Sequence, residues 1–488
     1  MNTPSHADRH AEYDKGKLFL ISVLALATAG VGFAIRGGTA SDLQSHFFDP
    51  IDKLRSAEMV ATVLGVVFLG FAFTIAIGSP LLDFLGMGRL LGLSSLSFIT
   101  GNLIVIFADR LASGASIYRV VWSGMLIIGI GQGLVETVIN PLAATLYPDD
   151  KTHKLNVLHA WWPGGIIIGG LLGLALGQMN FGWEIKLGIV ILPAAAFGVM
   201  LLGTRFPPSE RVAAGVSTGD MFKELVRPFF IVWFLSMFLT AASELAPGQW
   251  VDLALTRTVG MQGIWLLIYV SGLMFVMRHF AGPMAHRLSP VGLLWFSCLL
   301  ASAGLLLLSI ANSPITGLLA ATVWGTGVCY MWPTMLAAAS ERFPRGGALL
   351  MGLMGTAGTL SIYYILPLMG HIFDTAKIQA AGGEEAFKNL AGGGLNQVLA
   401  VAAQTSFRYV AILPAVLLLV FGAIWIYDKS KGGYKPVKLG APAVGGESHR
   451  SRSVFEPGQP VALGPSAQDP LSLCDATRLK ERSTRRMI

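Results

Sequence analysis

Residues Gly131 to Gly173 read GQGLVETVINPLAATLYPDDKTHKLNVLHAWWPGGIIIGGLLG. Two apolar runs, each able to cross hydrocarbon, flank a short charged connection around Asp149 and Lys151, so the stretch is a pair of membrane spans turned back on each other. The first run carries an acid. Glu136 lies 17 residues after Arg119 and 13 before Asp149, so at ~1.5 Å per helical residue it sits about 20 Å or more from either polar end. A carboxylate at such depth costs a few kcal/mol and faces a partner, a wet cavity or a conduction path. Gln132, Glu136 and Asn140 recur at i, i+4, i+8 and share one helix face, while the intervening positions are Leu, Val, Ile, Thr and Gly. Pro141 then removes a backbone hydrogen bond, a common device where a helix must bend.

Outward from this stretch the chain keeps the same character. Of 488 residues 53% are hydrophobic and 13% charged, against roughly 25% charged in soluble domains. Twelve apolar runs are long enough to span, the first at 17–36, the eighth at 261–281 and the twelfth at 407–428. The fold class expected is therefore an all-α polytopic membrane protein with 12 transmembrane helices. The segment before Lys17 is polar and no small-residue cleavage site follows the first apolar run, so that run reads as a span. Three cysteines, Cys298, Cys329 and Cys474, have no paired spacing, so neither a disulfide framework nor a metal site is expected, and no cofactor. Segment 429–488 holds eleven Lys or Arg against five Asp or Glu and supplies six of the net +7. The basicity is a tail property and points to anionic lipid rather than nucleic acid. Lys and Arg favour the loops on the side of the termini, which places both termini in the cytoplasm.

The chain repeats. GSPLLDFLGMGRL (Gly78 to Leu90) after span 2 is echoed six spans later by GPMAHRLSPVGLL (Gly282 to Leu294). Gly131-Gln-Gly133 followed by Pro141 and Pro148 is echoed by Gly325-Thr-Gly327 followed by Pro333 and Pro344. The expected organisation is an N-terminal segment 1–16, a six-helix bundle 17–204, a polar linker 205–227, a second six-helix bundle 228–428 and a basic disordered tail 429–488. Segment 375–404 between spans 11 and 12 reads as partly helical. Two six-helix pseudo-repeat bundles, with Asp83, Gly86 and Arg89 in a short loop and a weakened copy at His286 and Arg287, resemble the major facilitator superfamily. The resemblance implies that this loop, with Arg287, is a gating latch between the halves. It also implies a substrate site near the midplane and a rocking cycle.

Glu136-Thr-Val-Ile-Asn140-Pro141, Leu146-x-Pro148 and His153-x-Leu155-Asn156 are similar to the signature of the fucose permease group of sugar transporters. That resemblance puts Glu136 at the acid used in proton-coupled uptake, Asn140 on its polar face and His159 where the group has a sugar-contacting Gln. Arg36, near the end of span 1 where the group has an Asp, is expected to face Glu136 and keep it out of proton exchange. In span 7, Glu244 precedes Pro247, Gly248, Gln249 and Trp250, an amide and an aromatic plate suited to the hydroxyl edge and C–H face of a sugar. Trp250 at that level also suits the headgroup region, as do Trp161 and Trp162 near the start of span 5. Candidate site residues are thus Gln132, Glu136, Asn140, Arg36, Asn156, His159, Glu244, Gln249 and Trp250. Glycine strings at Gly164 to Gly177 and at Gly352, Gly355 and Gly358 read as helix-packing surfaces.

No phosphate-loop, metalloprotease or His/Asp cluster motif is present, so the reading is not an enzyme. The function expected is secondary active transport of a small sugar-like solute, with a proton as candidate co-substrate. The setting expected is a bacterial inner membrane, with lipids as surroundings and the protein a monomer. A drug or metabolite exporter and a non-transporting sensor are the alternatives.

Overall fold

The computed structural model describes residues 13–52, 56–258 and 263–439. The polar segment ahead of the first apolar run caps it: the Lys17 N–H donates to the Asp14 carboxylate at 2.9 Å and starts α1, Lys15–Gly38. Eleven helices among the described residues are long and apolar enough to cross a bilayer. In the first half α1 is followed by α2 (Ser56–Leu85), α3 (Met87–Ile106), α4 (Ser116–Leu146), α5 (Lys151–Gln178) and α6 (Trp183–Met200). After the linker come α7 (Pro228–Thr258), α8, α9, α10 (Pro314–Arg342), α11 (Gly347–Ala381) and α12 (Gly392–Ser430).

The eighth helix departs from the sequence expectation of 261–281. It runs Gly263–Arg278, breaks at 279–280, and resumes over 281–288 until Ser289, at φ 65° and ψ 161°, turns the chain into α9 at 290–308. Pro283, His286 and Arg287 make the last two turns of α8 polar, which hides them from a hydropathy scan. Gly86, at φ 84°, makes the matching turn between α2 and α3, where the left-handed conformation suits a residue without Cβ. Helix α10 is also broken, into Pro314–Val328 and Met331–Arg342.

Six helices bring the chain back to the side it started from, so the residues before α1, the 205–227 connection and the end of α12 share one face, the linker face; the opposite one is the far face. Within the first half α1 packs on α5, and α4 on α2 and α3; within the second α9 packs on α10 and α12, and α7 on α11. The halves meet where α2 faces α11 and α5 faces α8. Backbones touch at the α1–α5 crossing, because a Cβ on Gly165 would lie 3.0 Å from the Gly30 Cα. Gly169 and Gly352 are as close-packed, whereas Gly170 and Gly177 have no neighbour nearer than 3.9 Å, so the glycine strings serve packing only in part. Segment 375–404 extends two spans: α11 has 35 residues, the 39 of α12 begin at Gly392, and the short helix Glu384–Lys388 connects them.

Candidate functional site

A cavity of about 740 Å³ lies between the halves. Its walls are mostly aromatic and aliphatic, with Phe33, Phe68 and Trp162 from the first half and Trp324, Trp332 and Tyr363 from the second. Its polar lining includes Gln132, Glu136, His159, Glu244 and Arg278, drawn from both halves. Such a cavity has the size and mixed lining of a small-molecule site.

In the first half the i, i+4, i+8 face of α4 is assembled as its spacing requires. The Asn140 amide donates to the Glu136 carboxylate at 2.7 Å, and the His159 ring nitrogen Nε2 lies 2.8 Å from the Asn140 oxygen. Glu136 is buried and makes no ion pair with any described residue. The Gln132 amide oxygen is buried without a partner. Arg36 corrects the expectation of a pair with Glu136. It sits two residues from the far-face end of α1, whereas Glu136 sits ten residues from the linker-face end of α4, so opposite helix ends hold them apart. Arg36 is buried, with Nη1 unpartnered. Asn156 is also displaced from the cavity: its amide donates to Thr334 Oγ1 at 3.1 Å in the seal between the halves. Trp162 lines the cavity, and Trp161 packs edge-on against Phe275 of α8 at 5.3 Å, so neither forms a headgroup belt.

In the second half Glu244 is paired with a residue the sequence did not single out. Arg278 Nη2 donates to Glu244 Oε1 at 2.9 Å, its Nε donates to the Cys329 carbonyl at 2.6 Å, and its Nη1 reaches the His159 carbonyl on α5 at 2.7 Å. Glu244 Oε2 is buried and unpartnered. A span ending at 281 puts Arg278 at a helix end, where a cation needs no explanation; with α8 ending at 288 it is ten residues deep. Pro283 beside Gly282 was the available hint of a break rather than an end. The side chains of Gln249 and Trp250 lie outside the described residues. Among the described residues no group of three or more His, Cys, Asp or Glu could hold a metal.

On the linker face the halves are held together. Thr152 donates to Glu341 Oε1 at 3.0 Å and the Gly282 N–H to His153 Nδ1 at 3.2 Å, while Lys151 ties the first half to the linker through Glu210 at 2.7 Å. Asp83 pairs with Arg211 of the linker, a partner outside the loop motif, while Arg89 and Arg287 are exposed. The chain after α12 folds back: Tyr434 donates to Glu341 Oε2 at 2.5 Å, the Val437 N–H to the Glu341 carbonyl at 2.8 Å, and Lys438 pairs with Asp149 at 2.7 Å. These contacts close the linker-face end below the cavity.

The profile of the Major Facilitator Superfamily matches residues 18–364. The chain belongs to this superfamily. It is an all-α multi-pass membrane protein and a transporter by class, not an enzyme. Solved members share its fold: the proton:xylose symporter XylE bound to 6-bromo-6-deoxy-D-glucose has a TM-score of 0.67 at 15% identity, covering 84% of this chain and 95% of that one. The E. coli fucose:proton symporter FucP has a TM-score of 0.59 at 16% identity, covering 82% and 98%. The human organic anion transporter MFSD10 has a TM-score of 0.63 at 14% identity, covering 84% and 99%. Myo-inositol transporter 1 of Saccharomyces cerevisiae is 26% identical over 134 residues, which is 27% of this chain and 22% of the length of that transporter.

Proposed function

We propose that this superfamily member is a proton-coupled transporter of a small polyhydroxylated solute, working by alternating access with the linker face in the cytoplasm of a bacterial cell. The observation that carries the solute class is a pair of buried acceptors on one cavity. Gln132 Oε1 from the first half and Glu244 Oε2 from the second both lack donors, and a buried unpaired acceptor costs about 1–3 kcal/mol. Hydroxyl groups supply such donors, and Trp162 and Trp332 offer flat faces for the C–H side of a ring. Similarity to symporters of fucose and xylose and to an inositol transporter supports the same class. Glu136 suits proton exchange, since its carboxylate lines the cavity and its hydrogen-bond partner is the neutral Asn140. Glu244 suits binding, since Arg278 holds one of its carboxyl oxygens in place at 2.9 Å while the other faces no partner.

The aromatic walls favour one second reading, an exporter of larger, flatter metabolites. Counterflow in proteoliposomes over monosaccharides, polyols and aromatic acids, with and without an imposed pH gradient, decides between them. Exchange of a sugar or polyol with acid-driven accumulation supports the proposal. Exchange of aromatic solutes alone overturns it.

A further inference from the structure

Arg278 takes two backbone carbonyls, and both are freed by a proline four residues on. In an α-helix the carbonyl of residue i accepts from the N–H of residue i+4, and proline has none. The His159 carbonyl would bond the N–H of residue 163, which is Pro163; the Cys329 carbonyl would bond that of residue 333, which is Pro333. Arg278 Nη1 and Nε fill the two vacancies, at 2.7 Å and 2.6 Å. The third arm of the fork holds Glu244 at 2.9 Å. Two of these three bonds stay within the second half, while the bond to His159 crosses to the first.

We infer that Arg278 is a positioning residue that latches the two halves at the cavity floor in the linker-face-closed state, with Pro163 supplying its acceptor. The inference rests on the alternating-access reading and adds to it the element that opposes opening. Rocking the halves apart at α5 and α8 strands the His159 carbonyl and one guanidinium N–H inside the protein. A bond to a charged donor carries about a tenfold or larger factor in an equilibrium, so the latch sets the population of the linker-face-open state. The remaining arms keep Glu244 and the broken α10 in place while the latch opens. Recognition of the solute is thereby separated from the motion.

Restoring the missing donor is the test. Pro163→Ala gives the helix its own N–H for the His159 carbonyl, so α5 is expected to be at least as stable as before, while the carbonyl becomes a poorer acceptor for Arg278. Spin labels at Phe84→Cys and His286→Cys, exposed on the linker face of opposite halves, report the separation in full-length protein carrying Cys474→Ser; Cys298 and Cys329 are buried. Pro163→Ala is expected to raise the ratio of long to short distances about tenfold with an unchanged or higher Tm. Arg278→Lys keeps the charge beside Glu244 and loses the fork, and should shift the ratio the same way. Wild-type distances in both variants, in a reconstituted protein whose wild type shows two distance populations, overturn the latch. A wild type fixed at one distance from pH 5 to pH 8, with or without solutes, refutes the rocking cycle and the latch with it.

Discussion

Replacing Glu136 by glutamine separates binding from coupling. The Asn140 amide donates to the Glu136 side chain at 2.7 Å, and a Gln carbonyl oxygen in the same place accepts the same bond. The change from a charged to a neutral acceptor costs about 1 kcal/mol, so solute counterflow is expected to stay within roughly fivefold of wild type. Coupling behaves otherwise. A potential of about 100 mV is worth ~2.3 kcal/mol per charge moved. At ~1.4 kcal/mol per tenfold, one coupled proton supports roughly 50-fold accumulation, and Glu136→Gln should bring that ratio to one. The assay is radiolabelled uptake in proteoliposomes under an imposed gradient, beside counterflow at equal pH. If accumulation survives, the proton travels elsewhere. If counterflow falls with it by more than tenfold in a protein of normal Tm, Glu136 is a solute ligand rather than a carrier; either result sinks the assignment.

Arg36→Met should leave counterflow within a few-fold and keep or raise the Tm in detergent, because the buried Nη1 has no partner and an apolar side chain of similar length removes that cost; a Tm lowered by ten degrees would show a partner that matters. Truncation after Lys438 keeps the three contacts of the returning tail and should leave transport within a few-fold, whereas truncation after Ser430 removes them and should shift the Phe84–His286 label distance toward the open state. Lys438 holds the Asp149 carboxyl below its ordinary value, and Asp149 holds the Lys438 ammonium above its own. The pair therefore persists at neutral pH, is lost as pH falls through the depressed carboxyl value, and is lost again as pH rises through the raised ammonium value. Label distances in a Glu136→Gln protein, which lacks the proposed proton carrier, should then be flat from pH 5 to pH 8; a step in that window would show that another group, such as His153 beside Gly282, couples protonation to the motion, and would refute Glu136 as the sole carrier. A topology reporter fused after Ser430 should read as cytoplasmic, and periplasmic activity would invert the orientation.

The sequence by itself determined what depends on local periodicity and on the solvent. Long apolar runs in a chain with 13% charge must be helices in lipid, because no water is there to satisfy a bare backbone, and the superfamily and the symporter-like fold were legible in the repeated loops and in the Glu136 to Asn156 signature. The Gln132–Glu136–Asn140 face was legible too, since helical spacing fixes which side chains align within one span. Pairings between spans were not. Arg36 and Glu136 look like partners when each is taken as the isolated charge of its helix, yet their heights along α1 and α4 differ, and height follows from where each helix starts and stops. Arg278 was hidden for the same reason, because the polar last turns of α8 mimic a loop. Asn156 carries a site-like signature but serves the seal, since α5 meets the second piece of α10 below the cavity. Which donors reach the carbonyls freed by Pro163 and Pro333 was decided by the tertiary structure alone: a proline announces a vacancy in its own helix, and only packing between helices determines what fills it.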